Sequence, residues 1–118
     1  MELTYADLEN GVRKIDLKGR LDIEGANHID LKFTALATAQ RAFLVIDLTL
    51  VDFIASLGIA TLVRSAKAAK LRKGSLVLLN PQPNVAKVLA ATRVDQVVPV
   101  CTSLDEAVAL VLADASLN

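Results

Sequence analysis

The chain has almost no aromatic side chains. They make up 3% of its 118 residues, Trp is missing, and none follows Phe53. Single-stranded nucleic acid is usually held by stacking on such rings, so a nucleic-acid partner is not expected. The single cysteine, Cys101, excludes an intramolecular disulfide. It ends the apolar run Val97-Val98-Pro99-Val100-Cys101, which points to a buried, inert thiol. The single histidine, His28, lies between Asn27 and Ile29 and reads as solvated, so no metal constellation exists. No apolar run reaches the roughly 20 residues of a membrane span. The start, MELTYADLEN, is acidic and lacks a signal-peptide pattern. The expectation is a soluble, cytoplasmic protein without membrane insertion. Neither Gly-x-x-x-x-Gly-Lys-Ser/Thr nor Gly-x-Gly-x-x-Gly occurs. No cofactor is expected, nor is ATP binding by the isolated chain.

Acid is also missing from one long segment. Between Phe53 and Val94 there is no Asp or Glu, but there are Arg64, Lys67, Lys70, Arg72, Lys73, Lys87 and Arg93. Net charge is zero, so the middle of the chain is a basic block between acidic flanks. It is either a solvated helix face or a contact surface for an acidic partner.

What is present is aliphatic residues in two periods. Hydrophobic residues make up 53% of the chain, enough for one domain over residues 1–118 with a real core. Residues 2–8 and 12–18 alternate loosely around Glu9-Asn10-Gly11, a hairpin signal. Asp22 is a good N-cap for a helix over about 23–38, where Ala26, Ile29, Phe33, Leu36 and Ala37 recur at helical spacing. Gly25, Thr34 and Thr38 weaken that helix locally.

Residues 42–48 read as a strand buried on both faces. Thr49 and Asp52 are turn-type residues, and Phe53-Ile54 is a short second apolar step. Ser56 is placed as the N-cap of a helix over about 57–72. Its buried stripe is Ile59, Leu62, Val63, Ala66 and Ala69, with Thr61, Arg64, Ser65, Lys67 and Lys70 outside. Gly74 is its expected C′ residue.

Residues 76–79 form a strand. Residues 80–84, Asn-Pro-Gln-Pro-Asn, form a turn, and Pro83 starts a helix ending near Ala91. Residues 97–100 make a short strand that Pro99 restricts to a sheet edge. Ser103-x-x-Glu106 is a capping box for a last helix, buried through Leu104, Ala107, Val108, Val111 and Leu112, with fraying from Ala113. The order β-β-α-β-α-β-α-β-α predicts an α/β fold. Its sheet is mixed and largely parallel, with an N-terminal antiparallel hairpin and helices packed on it.

The stretch Asp47-Leu48-Thr49-x-Val51-x-Phe53-Ile54-Ala55-Ser56-Leu57-Gly58-Ile59 resembles the signature of the STAS domain family. That family includes bacterial anti-sigma factor antagonists and domains at the ends of sulfate transporters. Gly19-Arg20-Leu21-Asp22 matches its Gly-x-Leu-Asp. In the antagonists the loop usually reads Asp-Ser-Ser-Gly, and its first serine accepts phosphate. Ser56 falls on that serine and Gly58 on the glycine, while Ala55 replaces the aspartate and Leu57 the second serine.

The resemblance implies a module that binds an anti-sigma factor serine kinase and frees a sigma factor. Phosphorylation of Ser56 would switch it off, and a serine phosphatase would reset it. Expected partner contacts are Asp22, Thr49, Asp52, Ile54, Ala55, Leu57, Gly58, Thr61, Arg64 and Lys67. Asp22 would either contribute to kinase binding or only cap its helix. Gly58 is expected to let a partner backbone approach. Monomer or weak dimer is the expected state. The alternative is a non-switching scaffold subunit of a signalling complex or a membrane transport assembly. An enzyme is not expected, since Ala-Ser-Leu-Gly is not the Gly-x-Ser-x-Gly elbow of hydrolases.

Overall fold

The computed structural model describes residues 1–8, 10–37 and 43–116, without the side chains of 114–116. Glu9 of the hairpin turn, Thr38 of the expected first helix, Ala42 of the expected strand and residues 117–118 of the expected frayed end lie outside these.

Five strands form one sheet in the order β1(Glu2–Asp7), β2(Arg13–Leu21), β3(Phe43–Ile54), β4(Ser75–Leu79), β5(Val100–Cys101). The first pair is antiparallel and the other three pairs are parallel. The helices are α1(Ile23–Ala37), α2(Ser56–Leu71), α3(Pro83–Ala91) and α4(Leu104–Ser116). The mixed, largely parallel α/β fold is as expected.

Alternation along the strands sorts their side chains onto two faces. Ile15, Leu17, Leu21, Leu44, Ile46 and Leu48 meet Phe33 of α1, Leu62 of α2 and Leu89 of α3 in the larger core. Val12, Val45, Val77, Leu79 and Cys101 meet Ala107 and Val111 of α4 in the smaller one. Phe33 is the only aromatic ring among the fully buried side chains, so aliphatic packing carries the fold. Cys101 is buried as expected, and burial first, then the Glu106 carboxylate, pushes its thiol pKa up.

Several elements differ from expectation. β2 runs on through Gly19 and Arg20. β3 continues for six residues past Leu48, through Thr49, Asp52 and Phe53. Its pairing with β2 jumps from Asp16↔Asp47 to Lys18↔Leu50, and again from Gly19↔Val51 to Arg20↔Phe53. At each jump β3 carries one extra residue, a β-bulge. The inward positions therefore change from period two (Leu44, Ile46, Leu48) to period three (Leu48, Val51, Ile54).

The buried side of α2 includes Thr61 and Ser65, while Ile59 and Val63 are half-buried. Thr61 tolerates burial because its hydroxyl donates to the Leu57 carbonyl at 3.0 Å. Lys73, not Gly74, adopts the left-handed conformation (φ 62°) after α2. The Gly74 N–H donates to the Ala69 carbonyl and the Lys73 N–H to that of Lys70, completing a Schellman motif. Residues Val94–Gln96 form a 3-10 turn, and β5 begins only at Val100, at the sheet edge. The α4 backbone stays helical to Ser116, where fraying from Ala113 was expected.

Candidate functional site

Two strand-to-helix junctions meet at one end of the sheet. β2 passes into α1 at Asp22, and β3 into α2 at Ala55. The Ala55 N–H donates to the Leu21 carbonyl at 2.9 Å. Glycines make this approach possible. A Cβ on Gly58 would stand 2.6 Å from Leu21 Cγ and 2.7 Å from the Leu21 carbonyl oxygen. One on Gly25 would stand 2.0 Å from the Arg20 carbonyl oxygen. Gly58 thus admits Leu21 of its own chain.

Asp22 caps α1, as expected. Its Oδ1 accepts the Gly25 N–H at 2.8 Å, and its Oδ2 accepts Arg20 Nε at 3.3 Å. The Gly25 N–H, then Arg20, hold its pKa below the usual carboxylate value.

Ser56 does not cap α2. The N-cap is Ala55, in extended geometry (φ −114°, ψ 171°), and no side chain caps the helix. The hydrogen-bond ladder starts where the Ala55 carbonyl accepts the Ile59 N–H at 3.0 Å. That places Ser56 at the first helical position, exposed. Its hydroxyl is free of the capping role that sequence reasoning gave it.

Ser56 lies in an open groove of about 540 Å³ lined by Ile23, Ala55, Leu57 and Ala60. Ile23 is 64% exposed, unusual for an isoleucine. Sequence reasoning missed it; the available signal was an isoleucine directly after a capping aspartate.

The other expected contacts divide into outer and inner sets. Thr49, Asp52, Arg64 and Lys67 are exposed, and Ala55 and Leu57 are half-exposed. Ile54, Gly58 and Thr61 are buried. Within the chain they pack beneath the outer set. On α2 the exposed line runs Ser56, Ala60, Arg64, Lys67, Leu71. Arg64 is tied to Asp30 of α1 at 3.2 Å, an exposed pair of small energetic weight.

The outer edge of β3 is held at its bulges. The Asp47 carboxylate accepts the Thr49 N–H at 2.9 Å and the Thr49 hydroxyl at 2.5 Å. It also pairs with Lys14 at 3.1 Å. Burial pushes the Asp47 pKa up, but the Thr49 hydroxyl and amide and the Lys14 ammonium together bring it below the usual carboxylate value. Beyond the end of β4, the Gln82 amide donates to the Thr49 carbonyl at 2.8 Å. The Asn84 amide donates to the Asp52 carbonyl at 2.7 Å. Asn80 Nδ2 donates to the Thr49 hydroxyl at 3.2 Å.

Among the described residues no group of three His, Cys, Asp or Glu side chains could hold a metal ion. Nor is any described helix long and apolar enough to cross a membrane.

The fold has known counterparts. The STAS domain family model matches residues 6–107. The chain belongs to the STAS domain family. An anti-sigma-factor antagonist (STAS) domain protein from Planctomyces limnophilus is 29% identical, with a TM-score of 0.80 over 96% of this chain and 97% of that one. The phosphorylated form of the Bacillus cell fate determinant SpoIIAA is 19% identical, with a TM-score of 0.69 over 93% of this chain and 99% of that one. The murine anion transporter Slc26a9 is 20% identical, with a TM-score of 0.74 over 87% of this chain and 18% of the transporter. The STAS fold thus occurs both as a small antagonist and as one part of a transporter.

Proposed function

We propose that this STAS domain is an anti-sigma factor antagonist switched by phosphorylation of Ser56. Its unphosphorylated form binds an anti-sigma factor that is also a serine kinase, and so frees the sigma factor. The observation that carries this reading is the exposed Ser56 hydroxyl at the first position of α2, unused by any cap. Ile23, Ala55, Leu57 and Ala60 make the surrounding groove mainly apolar. An unphosphorylated groove of this kind gains by burial against a partner's apolar side chains. Asp22, Thr49 and Asp52 form one margin of the docking face. Arg64 and Lys67, about two and three turns on from Ser56 along α2, form the other and meet acidic residues.

A phosphoserine carries about −1.5 to −2 charge. The free N–H groups at the helix start stabilise that charge within the chain, while an apolar partner surface pressed onto it would have to desolvate it. The phosphate therefore spares the fold and disfavours the complex. A serine phosphatase reverses the step. The kinase supplies the ATP chemistry, and this chain supplies only a hydroxyl.

The test is incubation with ATP and an anti-sigma factor serine kinase from the same organism, followed by intact mass and site mapping. One phosphate on Ser56, and loss of kinase binding with it, is the expected result. Phosphate elsewhere, with Ser56→Ala still fully modified, sinks the proposal. The second reading is a non-switching scaffold subunit of a signalling complex or a transport assembly. The likeness to a domain of an anion transporter favours it. It requires partner binding that is indifferent to Ser56→Asp.

A further inference from the structure

We propose that Gln82 and Asn84 are positioning residues for the Ser56 loop, acting through the two bulges of β3. Their side-chain amides donate to the carbonyls of Thr49 and Asp52, across 33 and 32 residues of sequence. Those two carbonyls lie where β3 carries its extra residues and where β4 has already ended. Both bonds are exposed. Water could satisfy these carbonyls at little cost, so the amides are not needed to avoid a buried, unpaired group. What they add is position.

The clamp is itself stiff. Gln82 is extended (φ −62°, ψ 156°), the conformation that the following Pro83 requires. Asn80 ties the start of the turn to the sheet, its N–H donating to the Cys101 carbonyl at 2.7 Å. The bulged segment is thus held from both sides. Ala55 bonds Leu21 on the β2 side, and the 80–84 turn grips Thr49 and Asp52 on the other. Asp52 precedes Ser56 by four residues, so the angle at which β3 delivers Ser56 is set by this grip. The bearing on a kinase rests on the reading above; the clamp itself does not.

The test uses the full chain with Gln82→Glu and Asn84→Asp, singly and together. Each change keeps the side-chain shape and replaces a donor by a carboxylate that cannot donate to a carbonyl at neutral pH. Amide hydrogen exchange at Ala55 should quicken about tenfold in the double variant, with Leu76 to Leu79 of β4 within twofold. An unchanged Ala55, or an equal loss of protection across the whole sheet, overturns the proposal. Should the double variant not fold, each single variant carries the same comparison.

The kinase of the preceding test gives a second readout. A docking-competent loop that is populated less often lowers apparent affinity in proportion. KM for the double variant should therefore rise about tenfold with kcat within twofold. A fall in kcat at constant KM, or no change in either, counts against it. A wild-type chain that takes no phosphate defeats the switching reading alone, and the exchange data then decide the clamp.

Discussion

Gly58→Ala should destabilise the protein although it replaces glycine by alanine inside a helix. On helix propensity alone the change gains about 1 kcal/mol. Here the new methyl would stand 2.6 Å from Leu21 Cγ and 2.7 Å from the Leu21 carbonyl oxygen. Neither neighbour can retreat freely. Leu21 is fully buried, and its carbonyl holds the Ala55 N–H at 2.9 Å. Forcing a methyl into such a contact costs about 1–3 kcal/mol. Weakening the bond from Ala55 adds about 1 kcal/mol. The net expectation is a loss of about 1–3 kcal/mol, read as a lower urea midpoint at unchanged m-value.

Ala60→Gly, at an exposed site one half-turn on, supplies the control. It should lose about 1 kcal/mol by propensity alone. Alanine is thus expected to be the better residue at position 60 and the worse one at position 58. Leu21→Ala/Gly58→Ala should then show coupling, the second change costing less once the Leu21 side chain is short. A Gly58→Ala protein as stable as wild type would show that the two junctions are not pressed together as described.

The other expectations follow from single residues. Ala55→Asp supplies the missing cap of α2, at a position already extended, and should raise stability by about 1 kcal/mol in chemical denaturation. Ser56→Ala removes no cap and should stay within about 0.5 kcal/mol of wild type; a larger loss would return Ser56 to the N-cap. Lys73→Gly relieves a left-handed lysine and should gain about 0.5 kcal/mol after the entropy of the unfolded glycine is subtracted, visible as a small rise in the melting midpoint. Asp47 has a pKa lowered in the folded state, so its contribution is present above the unfolded carboxylate value of about 3.9 and is lost as pH falls below it. Asp47→Asn should therefore flatten the loss of stability between neutral pH and pH 3, and an unchanged acid profile would remove Asp47 from that account.

Local rules reached as far as local causes did. Asp22 was legible as a cap because capping needs only the aspartate and the third residue after it, and the bond to Gly25 is there. The serine half of the Ser103 capping box was legible likewise, since the Glu106 N–H does reach Ser103 Oγ at 3.2 Å. Pro83 marked the start of α3 by its own fixed φ. The far half of β3 was not legible. Thr49 and Asp52 resemble turn residues, and only bulges paired with β2 and amides from a distant turn keep them in a strand. The cap of α2 was misplaced by one residue for a related reason. Ala55 is extended because Leu21, 34 residues earlier, takes its N–H, and no propensity scale contains that bond. Thr61 and Ser65 were placed outside because hydroxyls usually are, whereas a hydroxyl bonded to its own helix can face inward.

The signature stretch therefore mixes two kinds of constraint. Val51, Ile54 and Gly58 are buried, and the fold alone requires them: two fill the core at the altered period, and one admits Leu21. A switching antagonist and a silent scaffold with this fold would keep all three for the same reason. Agreement at those positions identifies the architecture and has no bearing on the switch. The discriminating positions are the ones that packing leaves free. Ser56 is such a position: it is exposed in the groove, and α2 begins without help from its hydroxyl. A scaffold could replace that hydroxyl by a hydrogen, as in alanine, at almost no cost to folding. A switch could not. The near-zero stability effect expected of Ser56→Ala thus makes a loss of regulation by the same substitution decisive, because no change in folding would be available to explain it.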